Sequence, residues 1–187
     1  DVVVLDKTGT LTEGHPTVSG WLWAQTQEEC FKNVLLAAEM KSEHPLAGAI
    51  VTSLQDEEKV VPAPLESFES ITGKGVKVIY EGDLFWVGSH KLLKDFDAIV
   101  TDVMADMLVQ YESEGNGIIY FGRENQLLAI IAVTDAIKST SSEAVKELRR
   151  QGIDICMLTG DGQRTALAVA GKLGIDRFIA DALPDDK

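Results

Sequence analysis

The stretch Asp6-Lys7-Thr8-Gly9-Thr10-Leu11-Thr12 follows directly on the apolar run Val2-Val3-Val4-Leu5. A short apolar run of this kind reads as a buried strand, and open α/β sheets place ligands just beyond the carboxyl ends of their strands. Asp6 therefore sits where a carboxylate can attack a phosphoryl group and carry it as an aspartyl phosphate. Behind it, Lys7 and the N–H groups and hydroxyls of Thr8, Gly9 and Thr10 can meet phosphate oxygens. Taken alone, the same residues also fit a strand-to-loop turn with a surface Asp. Thr159-Gly160-Asp161 follows the apolar run 153–158 and opens a helical pattern, where a hydroxyl and free N–H groups suit phosphate oxygens. An N-cap role for Asp161 is the plainer reading. His44, in Ser42-Glu43-His44-Pro45-Leu46, lies just before another helical pattern, a setting that favours phosphate, and its ring could stack on a base. A His before Pro can equally be structural. Gly73-Lys74-Gly75 lies between two strand patterns and is a weak signal by itself.

Elements must position these groups. Residues 140–151 read as a helix with Thr140-x-x-Glu143 as a capping box and Gly152 as its stop. A buried strand over 153–158, a helix over 163–173 ended by Gly174, and a short strand over 177–180 follow. With the first strand, this alternation implies a parallel sheet with helices on both faces. The middle of the chain differs. Strands are expected over 18–23, 68–71, 76–80, 84–87, 118–121 and 127–133, several joined by short turns. Helices are expected over 28–40 and 100–114, and one beginning at Pro45 and carrying Leu46, Ala49, Ile50 and Leu54. The first is amphipathic, with Phe31, Val34, Leu35 and Ala38 inward and Thr26-x-x-Glu29 as its capping box. The fold class is thus α/β, a parallel Rossmann-like sheet with an α+β antiparallel-sheet domain inserted after its first strand.

The chain has 187 residues, 45% hydrophobic and 25% charged, ordinary for globular domains, and a net charge of −13. That charge argues against nucleic acid and anionic membrane surfaces as partners. Cys30 and Cys156 are far apart and without metal-site spacing, so they read as free thiols. No apolar run approaches the roughly 20 residues a membrane helix needs, and no signal peptide is visible.

The 6–12 stretch resembles the phosphorylation signature of P-type ATPases, ion pumps built on a haloacid-dehalogenase-like domain. Phosphatases of that superfamily carry a second Asp two residues after the first, where it protonates the leaving group and activates water. Here that position is Thr8, which implies a phosphoenzyme that persists. Thr159-Gly160-Asp161 resembles the pumps' second motif, with Gly162 where Asn or Asp is frequent. Asp135-Ala136-Ile137-Lys138 resembles the hinge motif, and Pro184-Asp185-Asp186-Lys187 the motif whose Lys pairs with the phosphoryl group. Ser42-Glu43-His44-Pro45-Leu46 resembles a motif of the heavy-metal class; signatures of the calcium- and sodium-pump classes are missing.

The resemblance implies domains at 1–15 and 133–187 for phosphorylation and 16–132 for nucleotide binding, with the chain stopping before its last core strand. It implies catalytic roles for Asp6, Lys7, Thr8, Thr159, Gly160, Asp161 and Lys187, and nucleotide contacts from Glu39, Glu43, His44, Gly73, Gly75 and Gly88. Ser89 stands where Asn is frequent. ATP or ADP and Mg²⁺ are the expected ligands, with Asp6 and the Thr8 carbonyl on Mg²⁺ and the remaining carboxylate beyond residue 187. The expected whole is a copper-type pump whose membrane and actuator domains are partners and whose transported ion binds elsewhere. On that reading the chain is an excised fragment from the cytoplasmic side of a membrane. A soluble phosphatase with a large cap, or a non-catalytic nucleotide-binding module, are the alternatives.

Overall fold

The computed structural model describes residues 2–25, 30–44 and 46–183. The expected capping box at 26–29, Pro45, and the 184–187 motif with Lys187 lie outside the described residues. In chain order the elements are β1 (Val2–Asp6), β2 (Thr17–Trp23), α1 (Lys32–Glu39), α2 (Ala47–Gln55), β3 (Ser67–Ile71), β4 (Gly75–Tyr80), β5 (Asp83–Gly88) and α3 (His90–Asp95). There follow α4 (Asp102–Ser113), β6 (Gly117–Arg123), β7 (Gln126–Thr134), α5 (Ser141–Arg150), β8 (Asp154–Leu158), α6 (Gln163–Leu173) and β9 (Arg177–Ile179). The described residues form two compact units. Of these residues, one unit draws on 2–16, 110–117 and 134–183, the other on 17–25, 30–44, 46–109 and 118–133. Residues 110–117, expected with the inserted segment, group with the first unit: the Thr165 hydroxyl donates to the Asn116 carbonyl at 2.7 Å in a buried setting.

The first unit is a parallel three-stranded sheet in the order β1-β8-β9, with Asp6 opposite Leu158. Strand alternation sends Leu5, Ile155, Met157 and Phe178 into one core with Val145 and Leu148 of α5 and Ala166, Val169 and Leu173 of α6. This corrects the expected helices on both faces, since α5 and α6 share one cluster with one sheet face. The strand order explains it. Both crossovers step the same way along the sheet, and right-handed connections then lay both helices on the same side. Val2, Val4 and Ile179, of the opposite alternation, are 52%, 56% and 51% exposed.

Gly174 ends α6 in the left-handed conformation, φ 68°. The capping box at Thr140 does not form. Thr140 already has helical dihedrals and makes no side-chain cap bond, whereas an N-cap needs extended backbone.

The second unit is built on a six-stranded sheet in the order β2-β7-β6-β5-β4-β3, antiparallel from β3 to β6. Helices cover both faces. α1 and α2 bury Leu35, Ala38, Ile50 and Leu54 against Val78, Phe85, Val87 and Phe121. On the other face Leu92 and Leu93 of α3 and Met104 of α4 pack with Trp86, Tyr120 and Ile130. Burial on both faces accounts for the unbroken apolar run of β7. α1 buries Leu36, Ala37 and Glu39 besides its expected face. The short α3 was not expected.

Gly122 leaves room for the Trp86 indole: a Cβ there would lie 2.2 Å from Trp86 Cζ2. The indole Nε1 donates to the Glu124 carbonyl at 2.9 Å, so the ring cannot simply move aside. Gly122→Ala should destabilise this unit by about 2–3 kcal/mol, the scale of an overpacked core. Urea unfolding followed by tryptophan fluorescence checks it; Trp21, Trp23 and Trp86 all lie in this unit.

Candidate functional site

Asp6 ends β1, and the chain then closes a tight turn over Lys7–Leu11 in which the Thr12 N–H donates to the Lys7 carbonyl at 3.1 Å. Gly9 makes the turn possible, at φ 76°, where residues with a Cβ are strained. Lys7 points inward, 5% exposed, and its ammonium lies 2.5 Å from Asp161 Oδ2. Asp161 also accepts a hydrogen bond from the Thr159 hydroxyl at 3.0 Å, while its own N–H donates to that hydroxyl oxygen at 3.1 Å. The ends of two adjacent strands, β1 and β8, are therefore joined by a buried ion pair. Asp161 does not cap α6: Gly162 holds that place, with no side-chain cap bond.

The segment after β7 holds the outer side of the turn. The Thr12 hydroxyl donates to Asp135 Oδ2 at 2.6 Å, within reach also of the Lys7 carbonyl, and accepts from the Gly9 N–H at 3.2 Å. Asp135 Oδ1 accepts from the Gly14 and His15 N–H groups at 3.0 and 3.2 Å. Lys138 Nζ donates to the Gly9 carbonyl at 2.7 Å. The structure thus brings Asp6, Lys7, Thr8, Thr159, Gly160 and Asp161 to the carboxyl ends of β1 and β8. Thr12 and Ser141, not expected among the site residues, are part of the same construction. The Thr12–Asp135 and Ser141–Leu11 bonds span 123 and 130 positions, and no spacing rule reaches that far.

Among the described residues no three His, Cys, Asp or Glu side chains cluster as metal ligands. Mg²⁺ takes one or two carboxylates and retains several waters. The Asp6 carboxylate at the end of β1 and a backbone carbonyl such as that of Thr8 are oxygen donors of the kind that ion takes.

In the second unit, Glu39 closes α1 and is 5% exposed. Burial pushes its carboxyl up from 4.5 to about 7, against a hydrogen bond from the Ser42 side chain that lowers it. His44 is exposed, and its Nδ1 accepts the Leu46 N–H at 3.2 Å. An accepting Nδ1 carries no proton, so the neutral ring presents Nε2–H as a donor. Glu43 is exposed beside it.

Gly75 and Gly88 face each other across β4 and β5. A Cβ on Gly75 would lie 2.2 Å from the Val87 carbonyl, and one on Gly88 2.1 Å from the Lys74 carbonyl. The strand pair itself therefore demands both glycines. Gly73, at φ 68°, makes the preceding turn. The buried Ser89 hydroxyl has no hydrogen-bond partner among the described residues.

This parallel sheet with its strand-end aspartate defines a class, and the comparisons agree with it. The family model of haloacid dehalogenase-like hydrolases matches residues 1–187, and the chain belongs to that family. It is similar to a copper-exporting P-type ATPase of Staphylococcus epidermidis, 39% identical over 187 residues, covering 100% of this chain and 23% of that protein. A silver-exporting P-type ATPase of Salmonella typhimurium is 40% identical over 188 residues, with the same 100% and 23% coverage. The chain thus spans about a quarter of the length of these relatives. Among solved structures, the catalytic domain of the CPx-ATPase CopB matches with TM-score 0.75 at 21% identity, over 100% of this chain and 63% of that one, a likeness of fold. Among the described residues no helix is long and apolar enough to cross a membrane.

The raised Glu39 carboxyl has a consequence for stability. The folded state holds its proton more tightly than the unfolded chain. The associated stability is therefore complete below about pH 4.5 and is lost as pH rises through about 7. The loss amounts to about 3 kcal/mol. Unfolding of wild type and Glu39→Gln as a function of pH should show that slope in the wild type and a flatter curve in the variant.

Proposed function

We propose that this chain is the ATP-binding and autophosphorylating part of a heavy-metal P-type ATPase on the cytoplasmic side of a membrane. The observation that carries the reading is Asp6 at the end of β1, on a turn braced from both sides, with Thr8 where a phosphatase would hold its second Asp. Copper is the proposed ion, in keeping with the relatives named for copper and silver export. Residues 1–15 and 133–187 act as the phosphorylation domain and 16–132 as the nucleotide-binding domain. The membrane and actuator parts of the whole protein are the partners, and the transported ion binds outside this chain.

In this mechanism Glu39, Glu43 and His44 hold ATP beside the backbone of Gly73, Gly75 and Gly88. Glu39 can accept from the adenine amino group through a carboxyl oxygen, and His44 Nε2–H can donate to a phosphate oxygen or stack on the base. An Asp6 oxygen attacks the terminal phosphorus; the bond from phosphorus to the bridging oxygen breaks, and ADP leaves with that oxygen. Thr8, Thr159, Gly160 and Lys187 gather the phosphoryl oxygens through N–H groups, hydroxyls and the lysine charge. Lys7 and Asp161 act by fixing the loops that carry these groups, since each is engaged by the other. Asp6 and the Thr8 carbonyl would hold Mg²⁺ in part, and the ion would supply positive charge against the triphosphate. With Thr8 in place of a general base, the aspartyl phosphate outlives the transfer step.

In the full-length protein, Asp6→Asn should abolish acid-stable labelling from terminally labelled ATP, a loss of more than about a hundredfold, while nucleotide affinity stays unchanged. Labelling that survives would remove the proposal. Nucleotide titration of His44→Ala and Glu39→Ala in the 187-residue chain tests the pocket. Each should weaken ATP binding by about tenfold, the scale of one lost hydrogen bond to a charged or buried group.

A further inference from the structure

We propose that Ser141 is a positioning residue for the turn behind Asp6. Its use in the phosphorylation step rests on the reading of Asp6 given above; its effect on the turn does not. Ser141 is the first residue of α5 and 5% exposed. Its hydroxyl donates to the Leu11 carbonyl at 2.8 Å, in a buried setting and across 130 positions of sequence. A serine in the first turn of a helix ordinarily bonds its own backbone or solvent. Here the helix start has no side-chain cap, and the hydroxyl is given to the loop instead.

The Leu11 carbonyl takes a second bond from the Lys138 N–H at 3.0 Å. The Leu11 side chain, 4% exposed, lies in the same hydrophobic cluster as Val145 of α5. Leu11 is therefore held to α5 through both its side chain and its carbonyl. One residue later the Thr12 N–H closes the turn onto the Lys7 carbonyl, and Lys7 directly follows Asp6 in the chain. A displaced Leu11 carbonyl would move that closure, and with it the residue next to the nucleophile. Ser141 touches no reacting atom and acts through Leu11.

Two variants test this, Ser141→Ala and Ser141→Thr, the second keeping the hydroxyl. In the 187-residue chain, amide hydrogen exchange at Gly9 and Thr12 should accelerate by about five- to tenfold in the Ala variant relative to amides of β8, and return toward wild type in the Thr variant. Loop amides that change only in step with β8 would reduce Ser141 to general stability and overturn the proposal. In the full-length protein, the single-turnover rate constant for phosphorylation at saturating ATP should fall about five- to tenfold in Ser141→Ala, with ATP affinity unchanged and recovery in Ser141→Thr. This rate constant does not depend on the folded fraction, which a purely structural role would alter. An unchanged rate constant, or a Thr variant as slow as Ala, would overturn the catalytic part. Asp6→Asn run alongside separates the two failures: labelling that persists there condemns the reading of Asp6, whereas lost labelling with an unaffected Ser141→Ala condemns only Ser141.

Discussion

The buried ion pair of Lys7 and Asp161 is the constraint around which the first unit's strand ends are arranged. The two side chains are 7% and 12% exposed, so both charges have given up most of their water. Such a pair adds little net stability, because desolvation offsets its Coulomb attraction; removing one partner alone leaves a buried, uncompensated charge at a cost of about 3–5 kcal/mol. Its value is positional. The partners lie one residue beyond Asp6 on β1 and three beyond Leu158 on β8, the residues that face each other in the sheet. A slip of one strand relative to the other would separate the charges. The Thr159 hydroxyl, bonded to both the carboxylate and the N–H of Asp161, fixes the second loop in the orientation that meets Lys7.

The outer side of the same turn depends on a different device. Asp135 accepts from the Thr12 hydroxyl and from two successive N–H groups, at Gly14 and His15. It thereby binds the chain leaving the first unit to the chain returning to it. The isolated bridge between Thr12 and Ile137 and the Glu13 N–H bond to the Ala136 carbonyl continue that pairing in backbone. Asp6 thus precedes a turn whose inner side is held by charge and whose outer side is held by hydrogen bonds.

Much of this was legible in the sequence, and the parts that were not share a physical cause. The apolar runs of β1, β7 and β8 and the glycine stops after α5 and α6 are local signals, and the strands and helix ends formed where they pointed. The place of Asp6 at a strand end followed from the run before it. What escaped depended on contacts distant in sequence. The capping box at Thr140 satisfies every local rule, yet Ser141 is drawn to Leu11 and the box does not form. The placement of both helices on one face followed from strand order, which spacing does not reveal. The pairing of Lys7 with Asp161 could not be read locally, because Asp161 lies far along the chain. Lys187 falls outside the described residues, so its place rests on the motif alone.

The charge of the chain makes the division of labour among its lysines consequential. A net charge of −13 repels a nucleotide polyanion, so local donors must reverse the sign of the field where the phosphates lie. Lys7 adds little to that reversal, since Asp161 at 2.5 Å cancels its field beyond a short distance. Lys138 differs. Its ammonium is bound to the neutral Gly9 carbonyl, so its positive charge remains uncompensated by that contact, at the rim of the turn that carries Asp6. The segment 135–141 therefore supplies shape through Asp135 and Ser141 and positive potential through Lys138. For the proposed phosphoryl transfer, Lys138 then adds positive potential to the charge that Lys187 and Mg²⁺ would supply. Lys7, next to Asp6, holds the frame of the turn through Asp161.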